Sequence, residues 1–456
     1  MAKRVRAERH ERAAALPAVR AAGDAKAAGH LELAHRYRTE LGLLDAHTEQ
    51  IRGRALDLLL SAGSSALARS DLAWAAELLT KAVELGRPGE ATRTRAVRRL
   101  GEVELARGHA DRGAALLGEA AESTAGVDDV EHAFAVLALA AAQGADLADL
   151  ATTARDLLPV FAAAGSDLGQ ARCRIRMAQD CQLQGRHGEA DALLTLALAD
   201  AVRADAEPER AQALGATAVS LWRGPVPVPA AVARCRSLLA EHGGPRPTVR
   251  VTLNCPLAVL LALDGAFDEA RRCLATARRL ADELGYAEAE VALPLFAAEV
   301  ETLAGRPETV ADLLDRAAEA AEAVGATALR RTTRRFRARA LLDAGRPGEA
   351  WSRLGDDAAG AALPAADAAD LYGLQARLAA HRGEQDTALA LAGRALDAAM
   401  RTDSPLLRAA AWADRAAVHA LFGRADAARA DEAEAAAARA VKGWAVRAAR
   451  TEEEAR

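Results

Sequence analysis

The chain is poor in aromatic residues, lysine, cysteine and long uncharged apolar runs, and each shortage removes a class of protein. Aromatics make up 3% of 456 residues, so stacking platforms for sugars or single-stranded nucleic acid are not on offer. Lysine stands only at Lys3, Lys26, Lys81 and Lys442. None of these follows a glycine in a GxxxxGK[ST] pattern, which excludes a P-loop for ATP. Cys173, Cys181, Cys235, Cys255 and Cys273 are odd in number and form no CxxC or Cys/His cluster, as expected of reduced, buried thiols in a cytoplasmic chain. No window approaches the roughly 18 uncharged apolar residues of a membrane span, and Met1 to Gly23 mixes charges with short alanine runs, unlike a signal peptide. Strand-type alternation of Val, Ile, Thr and Tyr is nearly missing. The net charge of -5 is too mild for a dedicated polyanion binder.

What remains is alanine and arginine. Apolar residues are 51% of the chain and alanine supplies much of that; it is the best helix former and lets helix backbones come close. The preference for arginine over lysine reads as the codon bias of a GC-rich, actinobacterial genome. An all-α protein with thin, tightly packed layers is expected.

Its order is set by a period. Ten short polar turns, at Ser70, Gly108, Gly144, Gly185, Gly224, Gly265, Gly305, Gly345, Gly383 and Gly423, recur every 36 to 41 residues. Such a repeat signals a stack of one supersecondary unit, because a lone helix pair cannot bury its apolar face. Seven residues before the turn stand Gly63, Gly101, Ala178, Ala258, Ala298, Ala338, Ala376 and Ala416. Five after it stand Ala75, Gly113, Ala190, Ala270, Val310, Ala350, Ala388 and Ala428. Small residues at both places predict a close crossing of helix A and helix B. The units at Gly144 and Gly224 slip by about one residue, and Gly224-Pro225-Val226-Pro227-Val228-Pro229 puts the second helix of its unit in question.

This pattern resembles the tetratricopeptide repeat, with small residues flanking a turn glycine; Trp412, Ala416, His419, Gly423 and Ala428 fit it best, and Tyr372, Ala376, Gly383 and Ala388 repeat it one unit earlier. A period near 40 implies longer helices than the family's usual ones. The segment His30 to Gly42 resembles the opening helix of the repeat region in large actinobacterial regulators built around a STAND-type ATPase. Ala435 to Arg450, with Lys442-Gly443-Trp444, resembles the point where those proteins finish. The division expected is a charged helical segment over 1–28, a tetratricopeptide-like superhelical solenoid of about ten repeats over 29–441, and a capping helix with a charged tail over 442–456.

The resemblance also implies a concave groove lined by helix A. Carried over position by position, the groove residues are Arg95, Arg98 and Glu102; Arg172, Gln179 and Gln182; Thr252 and Cys255; Glu299; Arg335 and Arg339; and Asp370 and Arg377. Arginine there suits carboxylates or phosphates. The last unit offers only Ala410, Ala413, Ala417 and Ala420, which reads as packing or an end cap.

Catalytic chemistry is hard to find. His30 and His35 are five apart, so they do not share a helix face as HExxH requires. Cys173 and Cys181 do share one, but two thiols make no zinc site. There is no GxSxG elbow, and the acids scatter over polar faces rather than pairing as in a glycosidase. The basic run Arg330 to Arg339 reads as an amphipathic helix whose arginines lie over neighbouring alanines. The expectation is a non-catalytic scaffold or sensor module of a regulatory system. It would bind a protein, peptide or small effector, without cofactor, metal or membrane and without direct contact to nucleic acid. The competing expectation is the sensory part of a transcriptional regulator whose DNA-binding and ATPase domains are absent from this chain.

Overall fold

Seven of the turn glycines end a helix in the left-handed region. Gly108, Gly185, Gly265, Gly305, Gly345, Gly383 and Gly423 all have positive φ, between 69° and 87°. At Gly185 the geometry is a Schellman cap: Gly185 N donates to Gln182 O at 3.0 Å and Arg186 N to Cys181 O at 2.7 Å. Only glycine adopts that conformation without a Cβ penalty, which is why the same residue returns once per repeat. The computed structural model describes residues 3–69, 71–143, 146–285, 289–323, 327–355 and 363–444. Ser70 and Gly144, two of the ten expected turn residues, lie outside them.

Among the described residues all regular structure is helical: twenty-three α-helices and one π-helical turn, Leu239–Gly243, with no strand. The helices pair in sequence, as in Asp167–Leu183 with His187–Arg203, Ala365–His381 with Gln385–Met400, and Pro405–Leu421 with Ala425–Lys442. This is the tetratricopeptide-like solenoid that the period predicts. The small residues lie at the crossings. A Cβ added to Gly113 would come within 3.0 Å of Gly101 O and 2.6 Å of the Leu105 side chain, and Ala338 and Ala350 are both wholly buried in one core. Replacing Ala338 with leucine overfills that crossing and should cost about 1–3 kcal/mol. Urea unfolding of the full chain measures it, and an unchanged midpoint would mean that the crossing lies elsewhere.

The chain forms two compact units. One holds the chain up to Cys173 together with Asp200–Pro208, the other Arg174–Ala199 together with the chain from Glu209 onward. In the first, Lys3–Ala15, Asp24–Glu40 and Ala46–Ala68 share a core of Ala14, Leu31, Ala34, Ile51 and Ala55. In the second, the largest core surrounds Pro247–Leu263, whose mostly apolar residues from Leu253 to Leu263 are all buried, as a helix stretch apolar nearly all round must be.

The second unit also settles the irregular turn. Gly224 is not in the left-handed region. It is glycine because a Cβ there would fall 2.6 Å from both His187 Cβ and Ser220 O. The prolines that follow do not abolish the second helix, which runs Val228–Leu238 with Pro229 in its first turn, where a missing N–H costs nothing.

That turn is held by the far end of the unit. Lys442, the last residue of Ala425–Lys442, is fully buried. Its Nζ donates to Leu221 O at 2.8 Å, Gly224 O at 2.7 Å and Val226 O at 2.8 Å. These are carbonyls at and beyond the end of Glu207–Arg223, which have no partner within that helix's own ladder. Beside them Asp403 caps the start of His187–Arg203, accepting from His187 N at 3.0 Å and Gly188 N at 2.7 Å, while its own N donates to Gly185 O at 2.9 Å. Ser404 Oγ donates to Arg223 O at 2.6 Å. Lysine suits the buried position because three tetrahedrally spread N–H groups can meet three convergent carbonyls, which a planar guanidinium cannot. These contacts form a clasp that closes the second unit on itself. Of the separate capping segment expected over 442–456, Lys442 ends the helix Ala425–Lys442 and residues 445–456 lie outside the described residues.

Candidate functional site

The helices that were expected to line a groove carry two dense clusters of paired charge, one in each unit. In the first unit Glu102 is the centre. It accepts from Arg98 Nη1 at 2.6 Å, Arg99 Nη1 at 3.1 Å and Arg172 Nη1 at 2.8 Å. Arg98 Nε also donates to Glu131 at 2.7 Å. Arg98 and Arg172 both lie over the Phe134 ring, 4.7 and 5.6 Å from its centre. Burial works to raise the Glu102 pKa, but Arg172, Arg98 and Arg99 outweigh it and hold the carboxyl well below the usual range. Arg95 is looser: it is half-exposed and sits 3.7 Å from Asp128 and 3.6 Å from Glu131.

In the second unit Arg339 is the hub. Its guanidinium grips Asp414 with two bonds of 3.0 and 3.1 Å and also reaches the Asp370 carboxylate at 3.1 Å. Arg377 bridges Asp343 at 2.6 Å and Asp414 at 3.6 Å, and Arg335 donates to Asp367 at 2.6 Å. Burial opposes the charge on Arg339, yet Asp414, Asp370 and Asp343 hold its proton more tightly than usual. In the basic run, Arg335 and Arg339 are thus neutralised by carboxylates of neighbouring helices, and Arg337 likewise pairs with Asp315. Glu299 sits at the edge of this set. Burial raises its pKa, Arg223 and Arg339 oppose the rise, and Asp370 adds to it.

The structure thus brings Arg95, Arg98, Glu102 and Arg172 together in one cluster, and Glu299, Arg335, Arg339, Asp370 and Arg377 in another. The remaining groove positions are occupied with packing. Gln182 Nε2 donates to Ala216 O at 2.7 Å and Ser220 Oγ at 2.8 Å, and Gln179 accepts from Arg176 at 2.9 Å. Thr252 bonds to Ala211 O, and the buried Cys255 thiol, pushed up to about 12 by burial, bonds to Val251 O; neither presents a free groove face. His30 pairs with His10 at 3.0 Å, across helices.

Sequence reasoning missed Asp414 and Arg223. Asp414 follows Ala413, one of the alanines taken as an end cap, and is the one acid on that stretch of helix. Its place against Ala365–His381 exists because Gly373 has no side chain: a Cβ there would stand 2.3 Å from Asp414 Oδ2. A lone acid among alanines and a mid-helix glycine one repeat earlier were the available signals.

No family profile matches the sequence, and no curated protein matches it. Solved structures do. Cut9, in the Cut9–Hcn1 hetero-tetramer of the APC/C, is 13% identical, with 89% of this chain and 79% of that one covered and a TM-score of 0.52. Human IFIT1, solved as a dimer with m7Gppp-AAAA, is 12% identical over 90% of both chains with a TM-score of 0.46. Yeast Tom70 is 11% identical, with 84% and 88% covered and a TM-score of 0.33. The likeness to Cut9 is one of fold. Among the described residues no helix is long and apolar enough to cross a membrane.

Proposed function

We propose that the chain is a non-catalytic interaction scaffold or sensor module of a signalling or regulatory system, taking a protein or peptide partner, or a small effector, on its inner helices. The observation that carries this reading is that the helices expected to line the groove concentrate arginine and carboxylate side chains in pairs, which a partner of complementary charge can exchange for its own. Pairs of this kind favour selectivity over raw affinity, since a wrong partner leaves a charge unmatched. Two further points support it: Cut9, similar in fold, is solved in an assembly with another chain, and both ends of the sequence resemble the repeat region of STAND-type regulators.

The test uses the loosest groove arginine. Arg95→Glu leaves the buried Arg98–Glu102 pairing in place, so the chain should melt as the parent does. Capture of a partner on the immobilised full chain should fall by about tenfold or more, the scale of one charge-assisted contact. Arg272→Glu, on the exposed side of the outer helix Phe267–Leu284, should capture like the parent. Equal loss from both variants would remove the groove from the account.

A further inference from the structure

One ion pair in the second unit is incomplete. Arg223 Nη2 and Glu299 Oε1 are 3.9 Å apart, too far for a hydrogen bond. Neither side chain has a hydrogen-bond partner among the described residues, whereas Arg335, Arg339 and Arg377 beside them are all bonded to carboxylates. Both remain about a third exposed, at 35% and 30%. Arg223 is fixed rather than floppy: its guanidinium lies 4.1 Å from the centre of the Trp222 ring, and Trp222 packs on Phe296, one turn before Glu299. The stacked face leaves the N–H edge of Arg223 to meet an acceptor.

An acceptor for Arg223 and a donor for Glu299 are wanted side by side. A phosphate would satisfy only the arginine and would meet Glu299 and Asp370 with like charge. A simple cation would satisfy only the glutamate. A molecule with both charges on one carbon satisfies the two at once, because the ammonium and carboxylate of an α-amino acid stand about 3 Å apart, close to the Arg223–Glu299 spacing. Laid across the pair it completes an alternating square of four charges. We infer that the inner face of the second unit, at Arg223 and Glu299, binds a free amino acid as a small effector, its carboxylate on Arg223 and its ammonium on Glu299 with Asp370 behind it. This rests on the groove reading above and names the ligand class for that groove. Burial raises the Glu299 pKa, and a bound ammonium acts in the opposite direction, favouring the carboxylate.

Titration calorimetry of the full chain with each of the common free amino acids tests the assignment. At least one should bind, and its N-acetyl derivative and its methyl ester should each lose about tenfold or more in affinity, the scale of one charge-assisted contact. Glu299→Gln and Arg223→Gln should each lose as much, with helicity kept, while Arg272→Glu binds as the parent does. The two ligand derivatives act on the unaltered protein, so the outcome does not depend on the variants folding. Heat from none of the amino acids at about 1 mM, or a binder indifferent to both derivatives, would overturn the inference. If partner capture through Arg95 persists without amino-acid binding, this inference alone falls; if both are lost, the groove reading falls with it.

Discussion

Lys442→Met should lower the unfolding free energy of the second unit by about 2–4 kcal/mol, although it keeps most of the side-chain volume. The three carbonyls that the ammonium satisfies, on Leu221, Gly224 and Val226, would be left without their donor in a region closed to water. Each buried acceptor so orphaned costs on the order of 1–3 kcal/mol. The offset is that a buried charge is also removed. Burial pushes the Lys442 pKa down to about 8, against the pull of Asp403 and Cys235, so part of the loss is returned. Lys442→Arg should fail to restore the parent value, since a planar fork cannot serve three carbonyls that converge on one point. Denaturant unfolding followed by tryptophan fluorescence reads the effect, with Trp444 two residues away. A methionine variant that unfolds at the parent's midpoint would show that the clasp does not hold the unit closed.

Acid should release the same clasp through His187. Its ring is buried, and burial lowers its pKa to about 4, with Arg223 and Lys442 adding to the drop and Asp403 opposing it. The folded value lies below the unfolded one of about 6.5, so between those limits the unfolded chain takes up a proton that the folded chain refuses. Stability from this group is complete above about pH 6.5 and drains away as the pH falls toward 4, reaching about 2–3 kcal/mol by the end of that window. His187→Leu keeps the apolar contact, and the backbone N–H at 187 stays capped by Asp403, so parent minus variant should isolate the histidine. Unfolding free energies at neutral pH and near pH 5 give the comparison. If the two proteins lose stability in parallel on acidification, the buried imidazole is not the sensor.

The repeat was legible in the sequence because it is dictated locally. A left-handed residue follows most of the helices expected to line the groove, which selects Gly185 or Gly383 whatever the rest of the chain does, and the crossing twelve residues apart needs side chains as small as Ala338 and Ala350. The groove was legible only in part. Arg98, Glu102, Arg339 and Asp370 were placed on inner helices by register, but what each one meets is decided by the next helix, so Arg335 and Arg339 were read as open positions when they are paired. The clasp was not legible at all. Lys442 and Gly224 were each visible as oddities, one as a rare lysine and one as a proline-rich break in register. The two residues are 218 positions apart, and nothing in that stretch shows that the two ends meet, because that depends on the summed curvature of every repeat in between.

That curvature gives the clasp a mechanical meaning. An open solenoid yields to a pull along its axis from the first piconewton, since each repeat tilts a little against its neighbour and no bond need break. A coil whose end is tied back to its start cannot. Tension applied between residues near Gly188 and residues near Lys442 loads a handful of hydrogen bonds directly, while the repeats between carry almost none of it. The second unit should therefore respond to force as a latch in parallel with a spring, stiff until the ties at Asp403, Ser404 and Lys442 part and compliant from then on.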